Sequence, residues 1–175
     1  LLLNADRNPN SVGARLTGMA ASPMGSNLPK IAAGIRDGSI KTLLVIGEDV
    51  TQHGIGTDLL DRLETLIVSD ILPNATTGRA HYLLPGCAPA EKRGSFVNAK
   101  GRVQRFQQNL QPKGQARAEW EFLHELARGL CGLEAVTGME GLFHQMAAEV
   151  PAFRGLTWAA LGDLGVNAAV EENVK

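Results

Sequence analysis

Two short apolar runs constrain this chain more than any other feature in it: residues 41–46 (KTLLVI) and 65–69 (TLIVS). Neither alternates apolar with polar, so each is expected to be a strand buried on both faces, as in a parallel sheet. Gly47 and Asp70 end them. Helical patterns separate them. Leu28, Ile31, Ala32 and Ile35 share one helix face, with Asn27 as cap, Pro29 in the first turn and Gly38 as the stop. Thr57 is expected to cap a second helix with Leu59, Leu60 and Leu63 facing inward. A short helix from Asn74 to Ala80 then leads into a third strand, Tyr82 to Leu84, ended by Pro85-Gly86. Residues 1–3 read as the end of an earlier buried strand, and residues 4–26 as a long loop. The alternation predicts an α/β fold, doubly wound around a mostly parallel sheet with helices on both faces.

Beyond Gln104 the character changes. Residues 107–117 are polar and punctuated by Pro112 and Gly114. An amphipathic helix is expected over residues 118–130, with Trp120, Leu123, Ala127 and Leu130 along its inner stripe and Gly132 behind it. A second is expected over 140–150, burying Leu142, Phe143, Met146 and Ala147, and a short third over 156–164 around Trp158. We therefore place an α/β domain at 1–110 and a small helical C-terminal extension at 111–175. The opening on Leu1 in apparent mid-strand suggests a piece of a longer polypeptide.

Composition excludes several classes. With 44% hydrophobic residues the chain can bury a core, and its net charge of −1 gives no case for nucleic acid. No run approaches the roughly 20 apolar residues of a membrane-spanning helix, so no direct membrane insertion is expected. Cys87 and Cys131 form no metal-binding or disulfide pattern. His53, His81, His124 and His144 have no metalloenzyme spacing, and His81 is expected to be a hydrogen-bonded structural residue. No catalytic residue and no metal ligand is assigned.

In a doubly wound sheet, ligands gather at the carboxyl ends of the strands. Here those ends carry Gly47-Glu48-Asp49, Asp70 and Gly86-Cys87. Glu48, Asp49 and Asp70 are candidates to bind a ribose hydroxyl or, alternatively, to cap helices. Lys92 and Arg93 follow Cys87 closely enough in sequence that a lowered thiol pKa is conceivable, but no sequence feature supplies the paired base that a catalytic thiol needs. No strand is followed by a phosphate-cradling glycine motif. The densest cluster of special residues is Glu91, Gly94, Asn98, Gly101, Arg102 and Gln104. It reads as a hairpin-like loop in which Glu91 and Arg102 can pair, Asn98 bonds neighbouring backbone, and the glycines allow close approach; the loop either braces itself or holds a cofactor or partner subunit.

These residues carry a resemblance. The run H-Y-L-L-P-x-x-x-x-x-E-K-x-G-S-F-V-N-x-x-G-R-V-Q, from His81 to Gln104, resembles the A-D-V-V-L-P…E-x-x-G-T-x-x-N-x-x-G-R-x-Q signature of the molybdopterin oxidoreductase superfamily. Pro112-x-Gly114-x-Ala116-Arg117-x-x-Trp120 is similar to a P-x-G-x-A-R-x-D-W segment of the same family. Asn8 and Gly13 sit where the family places N-x-x-G, and Gly47-Glu48-Asp49 where it places G-E-N-P. The His81-Tyr82 variant leans towards the G subunit of NADH:quinone oxidoreductase, respiratory complex I.

That resemblance implies a non-catalytic scaffold segment without turnover or cofactor of its own. The parent would carry iron–sulfur clusters and sit among other subunits of the peripheral arm, on the cytoplasmic face of the inner membrane. The alternative it implies is the cofactor-holding domain of a molybdopterin guanine dinucleotide oxidoreductase such as formate dehydrogenase. Asp49 in place of Asn, and His81-Tyr82 in place of Ala-Asp, depart from the family pattern at positions that bear on pterin-cofactor binding.

Overall fold

A computed structural model describes residues 8–20 and 27–169. The strand expected at residues 1–3 lies outside them. Two compact units interleave along the chain. One comprises Met24–Lys92 and Gln108–Leu133, the other Leu1–Pro23, Arg93–Gln107 and Glu134–Lys175.

The first unit is α/β. Strands β1 (Thr42–Ile46), β2 (Thr65–Asp70) and β3 (Tyr82–Pro85) form a parallel sheet in that order. Helices α2 (Leu28–Asp37) and α3 (Thr57–Leu60) pack on it; helix α1 (Ser11–Leu16) belongs to the other unit. Ala32 and Ile35 of α2 and Leu59 and Leu60 of α3 meet Val45, Leu66 and Val68 in one buried cluster. These three strand residues share a sheet face, because strand side chains alternate.

The opposite face carries Leu44, Ile67 and Tyr82 in one row and Ile46, Ser69 and Leu84 in the next. Leu44, Ile46 and Tyr82 are exposed there. β1 is therefore not buried on both faces as its unbroken apolar run predicts. Among the described residues it lies at the edge of the sheet, with Leu44 and Ile46 exposed.

Gly38 ends α2 in the left-handed conformation, as expected, with its N–H on the Ile35 carbonyl. Asn27 occupies the N-cap position of α2 without a side-chain capping bond, and Gly56 rather than Thr57 caps the single turn of α3. The expected helix at Asn74 is a reciprocal Asn74–Thr77 turn followed by one 3-10 turn, Thr77–Arg79. Helix α4 (Glu119–Cys131) closes the unit, and Gly132 stops it. No α4 residue is fully buried, and Leu130, expected on the inner stripe, is exposed.

The second unit is built on an antiparallel hairpin. β4 (Gly94–Val97) pairs with β5 (Arg102–Phe106), and β5 also pairs with the two-residue β6 (Val166–Asn167). The long loop expected early in the chain contains a helix, α1 (Ser11–Leu16). The Asn10 side-chain carbonyl just before it accepts the Val97 N–H at 2.8 Å. Helix α5 (Gly138–Glu149) buries Met139, Phe143 and Ala147. Phe143 meets Trp158 edge-on at 5.7 Å between ring centroids, and Phe153 and Leu161 complete this core. The helix expected at 156–164 is a series of turns instead. Gly165, at φ +77, lets the chain pass close to the Val103 carbonyl.

Candidate functional site at the carboxyl ends of the parallel strands

All three parallel strands deliver polar residues to the same end of the sheet. β1 is followed by Gly47, whose φ of +65 turns the chain towards Glu48 and Asp49. The Asp49 Oδ1 accepts from the Thr51 N–H at 3.2 Å, the Thr51 hydroxyl at 2.7 Å and the Thr76 hydroxyl at 2.7 Å. The Thr51 and Thr76 hydroxyls hold its carboxyl down at about 2, below an ordinary 3.8. Thr76 is fully buried, so the loop after β1 is pinned to the loop after β2. Glu48 Oε1 lies 3.1 Å from His53 Nε2 and accepts the Asp49 N–H.

Asp70, at the end of β2, uses both carboxylate oxygens. Oδ1 accepts the Ile71 N–H at 2.7 Å, and Oδ2 accepts the Asn74 side-chain amide at 2.8 Å. Beside it lies a cavity of about 170 Å³, walled by Ile71, Leu72, Pro73, Leu83 and Pro85, with Thr77 and Asp70 supplying polar atoms. Drug-sized ligands occupy pockets of roughly 300–1,000 Å³. This cavity therefore suits one ring system, not an entire dinucleotide.

At the end of β3 the chain packs tightly. A Cβ on Gly86 would lie 3.0 Å from Glu119 Oε1 and 3.1 Å from the buried Ser69 hydroxyl. Lys92 Nζ donates to both Glu119 oxygens, at 2.9 and 2.7 Å. Cys87 is buried. Burial pushes its thiol pKa up, and the Glu119 charge adds to the shift. The shift is opposite to the lowering that Lys92 and Arg93 made conceivable, and it agrees with the absence of a paired base in the sequence.

The hairpin cluster resolves into separate tasks. Glu91 Oε2 accepts the Ala88 N–H at 2.9 Å and closes a tight turn. The Arg102 guanidinium donates to the carbonyls of Leu164 at 3.1 Å and Gly165 at 3.0 Å. Each side chain has its own partner, so the expected Glu91–Arg102 pair is not what braces the loop. Asn98 does so: its Oδ1 accepts the N–H groups of Lys100 at 2.9 Å and Arg102 at 3.1 Å, and its amide reaches Gln104 Oε1 at 3.4 Å. Gly101, at φ +77, makes the turn. Gly94 leaves room for the Phe106 ring, which would lie 2.7 Å from an added Cβ.

Asn8 and Gly13 belong to the hairpin unit rather than to the sheet unit that carries Glu48, Asp49 and Asp70. The Asn8 carbonyl accepts the Ser11 hydroxyl, and Gly13 makes room for Asn10. His81 is structural, as its position suggests: Nδ1 accepts the Leu66 N–H at 2.8 Å.

Sequence reasoning passed over Thr76, Thr77 and Glu119 as site residues and read Asn74 only as the start of a helix. The N-x-x-T spacing of Asn74 and Thr77 is a readable turn signal. Nothing local announces that Thr76 or Glu119 reaches across the fold.

A family model described as molybdopterin oxidoreductase matches residues 5–129. The NADPH-Fe(3+) oxidoreductase subunit alpha of Geobacter sulfurreducens is 36% identical over 133 residues, covering 74% of this chain and 16% of that protein. Formate dehydrogenase H of Escherichia coli is 27% identical over 144 residues, covering 80% of this chain and 20% of that protein. Among solved structures, acetylene hydratase from Pelobacter acetylenicus superposes with a TM-score of 0.60 at 18% identity, over 77% of this chain and 19% of that one. The chain thus spans about a sixth to a fifth of the length of these relatives. No helix among the described residues is long and apolar enough to cross a membrane.

Proposed function

The chain belongs to the molybdopterin oxidoreductase family, and from that premise we propose that it helps hold the guanosine arm of a molybdopterin guanine dinucleotide in a longer oxidoreductase. The observation that carries this reading is the 170 Å³ cavity beside Asp70, at the carboxyl ends of β2 and β3. Its chemistry fits a guanine base. Apolar walls accept the faces of a planar ring, and a carboxylate accepts N–H groups such as the guanine N2 amine. The Thr77 hydroxyl, whose proton is donated to the Asn74 carbonyl, retains one lone pair that can accept from a ribose hydroxyl. Glu48 and Asp49 make the β1 end unsuited to phosphate, so groups elsewhere would take the pyrophosphate. When bound, the cofactor supplies the redox-active metal centre, while this chain binds, orients and shields its nucleotide end.

The parent protein is proposed to be an oxidoreductase working with partner subunits, as the designation "subunit alpha" of the Geobacter relative suggests. The 175-residue chain alone is expected to show no NADH- or formate-dependent dye reduction.

The test is molybdenum, tungsten and pterin content of the full-length protein, with GMP released on acid denaturation as a second readout. Stoichiometric metal and GMP support the reading, and Asp70→Asn should lower GMP retention. Absence of both metal and pterin would favour the second reading, a scaffold segment of the G subunit of NADH:quinone oxidoreductase at the cytoplasmic face of the inner membrane. One observation favours that scaffold: Glu48, Asp49 and Asp70 all have partners within the chain.

A further inference from the structure

Asp37 is the only aspartate in the chain that glycine follows; Arg, Val, Leu or Ile follows each of the others. Asp37 and Gly38 stand together where α2 ends, and both are exposed. Gly38 stops the helix in the left-handed conformation, so the peptide unit between the two residues lies outside the regular helical ladder. The Gly38 N–H is lightly held. It reaches the Ile35 carbonyl at 3.3 Å, whereas the Ile40 N–H closes the helix end on the Gly34 carbonyl at 2.9 Å. No side chain on Gly38 screens that nitrogen. Covalent connectivity alone keeps it within reach of Asp37 Cγ.

We propose that Asp37–Gly38 is a site of covalent backbone modification, where the chain closes to a succinimide and reopens in part as isoaspartate. The first step is a dehydration. The Gly38 nitrogen bonds to Asp37 Cγ, the Cγ–OH bond breaks, and the amide proton leaves with the hydroxyl as water. Water then adds back at either imide carbonyl. Addition at Cγ restores aspartate. Addition at the main-chain carbonyl leaves isoaspartate, with Cβ and Cγ now part of the backbone. Water is the one co-reactant. The proposal is independent of whether the chain holds a cofactor.

Two features of the fold bear on it. Ser39 restrains the first step: its hydroxyl, whose proton is shared with the Gly34 carbonyl at 3.3 Å, and its N–H at 2.9 Å hold the Asp37 carboxyl below its ordinary value. That favours the carboxylate, a poorer electrophile than the protonated acid. The second feature concerns the outcome. Ile40 packs over Gly34 so closely that a Cβ there would lie 2.7 Å from Ile40 Cδ1, and Ile40 also packs against the buried cluster. A lengthened backbone between Gly34 and Ile40 would have to give up this closure, so conversion would release the end of α2 from the approach to β1.

The test uses the natively folded full-length protein, aged at mildly acidic pH, where more of the carboxyl is protonated. Cleavage after Lys30 and Lys41 releases residues 31–41 as one peptide. With ageing, this peptide is expected to decline in favour of a second peak of the same mass and different retention, which accepts a methyl group from protein-L-isoaspartyl methyltransferase. Peptides carrying Asp58, Asp61 and Asp163 should accept less. Asp37→Glu, whose longer side chain closes the ring poorly, should abolish the second peak. Absence of that peak from the aged native protein overturns the proposal. So does an equal or faster rise in methyl acceptance at Asp58, Asp61 or Asp163, or a peak that persists in Asp37→Glu.

Discussion

Arg102 serves the fold through backbone carbonyls. Its guanidinium holds the Leu164 and Gly165 carbonyls, tying the turn before β6 to the start of β5. Hydrogen bonds from charged donors are worth about 1.5–3 kcal/mol. Arg102→Ala is therefore expected to destabilise the protein by about 2 kcal/mol in urea unfolding, with Arg102→Lys recovering part of the loss. A variant that unfolds like the parent would remove the bracing role. Asp49 makes a second prediction, through pH. Its carboxyl is held at about 2 in the folded chain against an ordinary 3.8. A depressed folded pKa adds stability above the ordinary value, and that stability is lost as pH falls towards the folded one. The urea midpoint should thus fall between about pH 4 and pH 2, and Asp49→Asn, which keeps an acceptor but cannot titrate there, should flatten that limb. Residue types forecast that Asn98 and Gly101 would shape a turn, because those preferences are local. They did not forecast the partners of Glu91 and Arg102, because spacing along a chain says nothing of distance across it.

At the level of elements, helices α4 and α5 have similar lengths and opposite roles in packing. Phe143 on α5 is buried against Trp158, whereas Leu130 on α4 is 75% exposed. Phe143→Ala should cost about 3–5 kcal/mol through transfer and cavity terms. Leu130→Lys should stay within about 0.5 kcal/mol in the same denaturant assay. A large loss for Leu130→Lys would mean that α4 is packed in solution. Both helices read as amphipathic from their spacing, and both form. Periodicity identifies the stripe but not whether anything lies against it. The same limit explains β1: an unbroken apolar run marks a strand, while the number of covered faces depends on elements elsewhere. Features set by a few adjacent residues, such as the left-handed Gly38 and Gly132 stops, the β2 boundaries and the β4–β5 hairpin, were readable. The two-residue β6 was not, because it exists only by pairing with β5.

For the whole molecule, the boundary proposed at residue 110 is tested by the fragment 1–110. The cluster of Ala32, Ile35, Val45, Leu59, Leu60, Leu66 and Val68 lies wholly within it. What it loses from the sheet unit is peripheral: the Gly86–Arg117 bridge, with the Arg117 N–H on the Pro85 carbonyl, and the half-buried Lys92–Glu119 ion pair. What it loses from the hairpin unit is most of a core, because Phe143, Phe153, Trp158 and Leu161 all lie beyond residue 110. The fragment is therefore expected to melt cooperatively at a lower temperature than the full chain. Amides of Val97 and Val103 in its hairpin should exchange rapidly, while those of Leu66 and Val68 stay protected, since local stability follows buried contacts. Absence of any cooperative transition would show that the sheet depends on residues 111–133. Uniform protection of both sets of amides would show that the hairpin stands without α5 and Trp158.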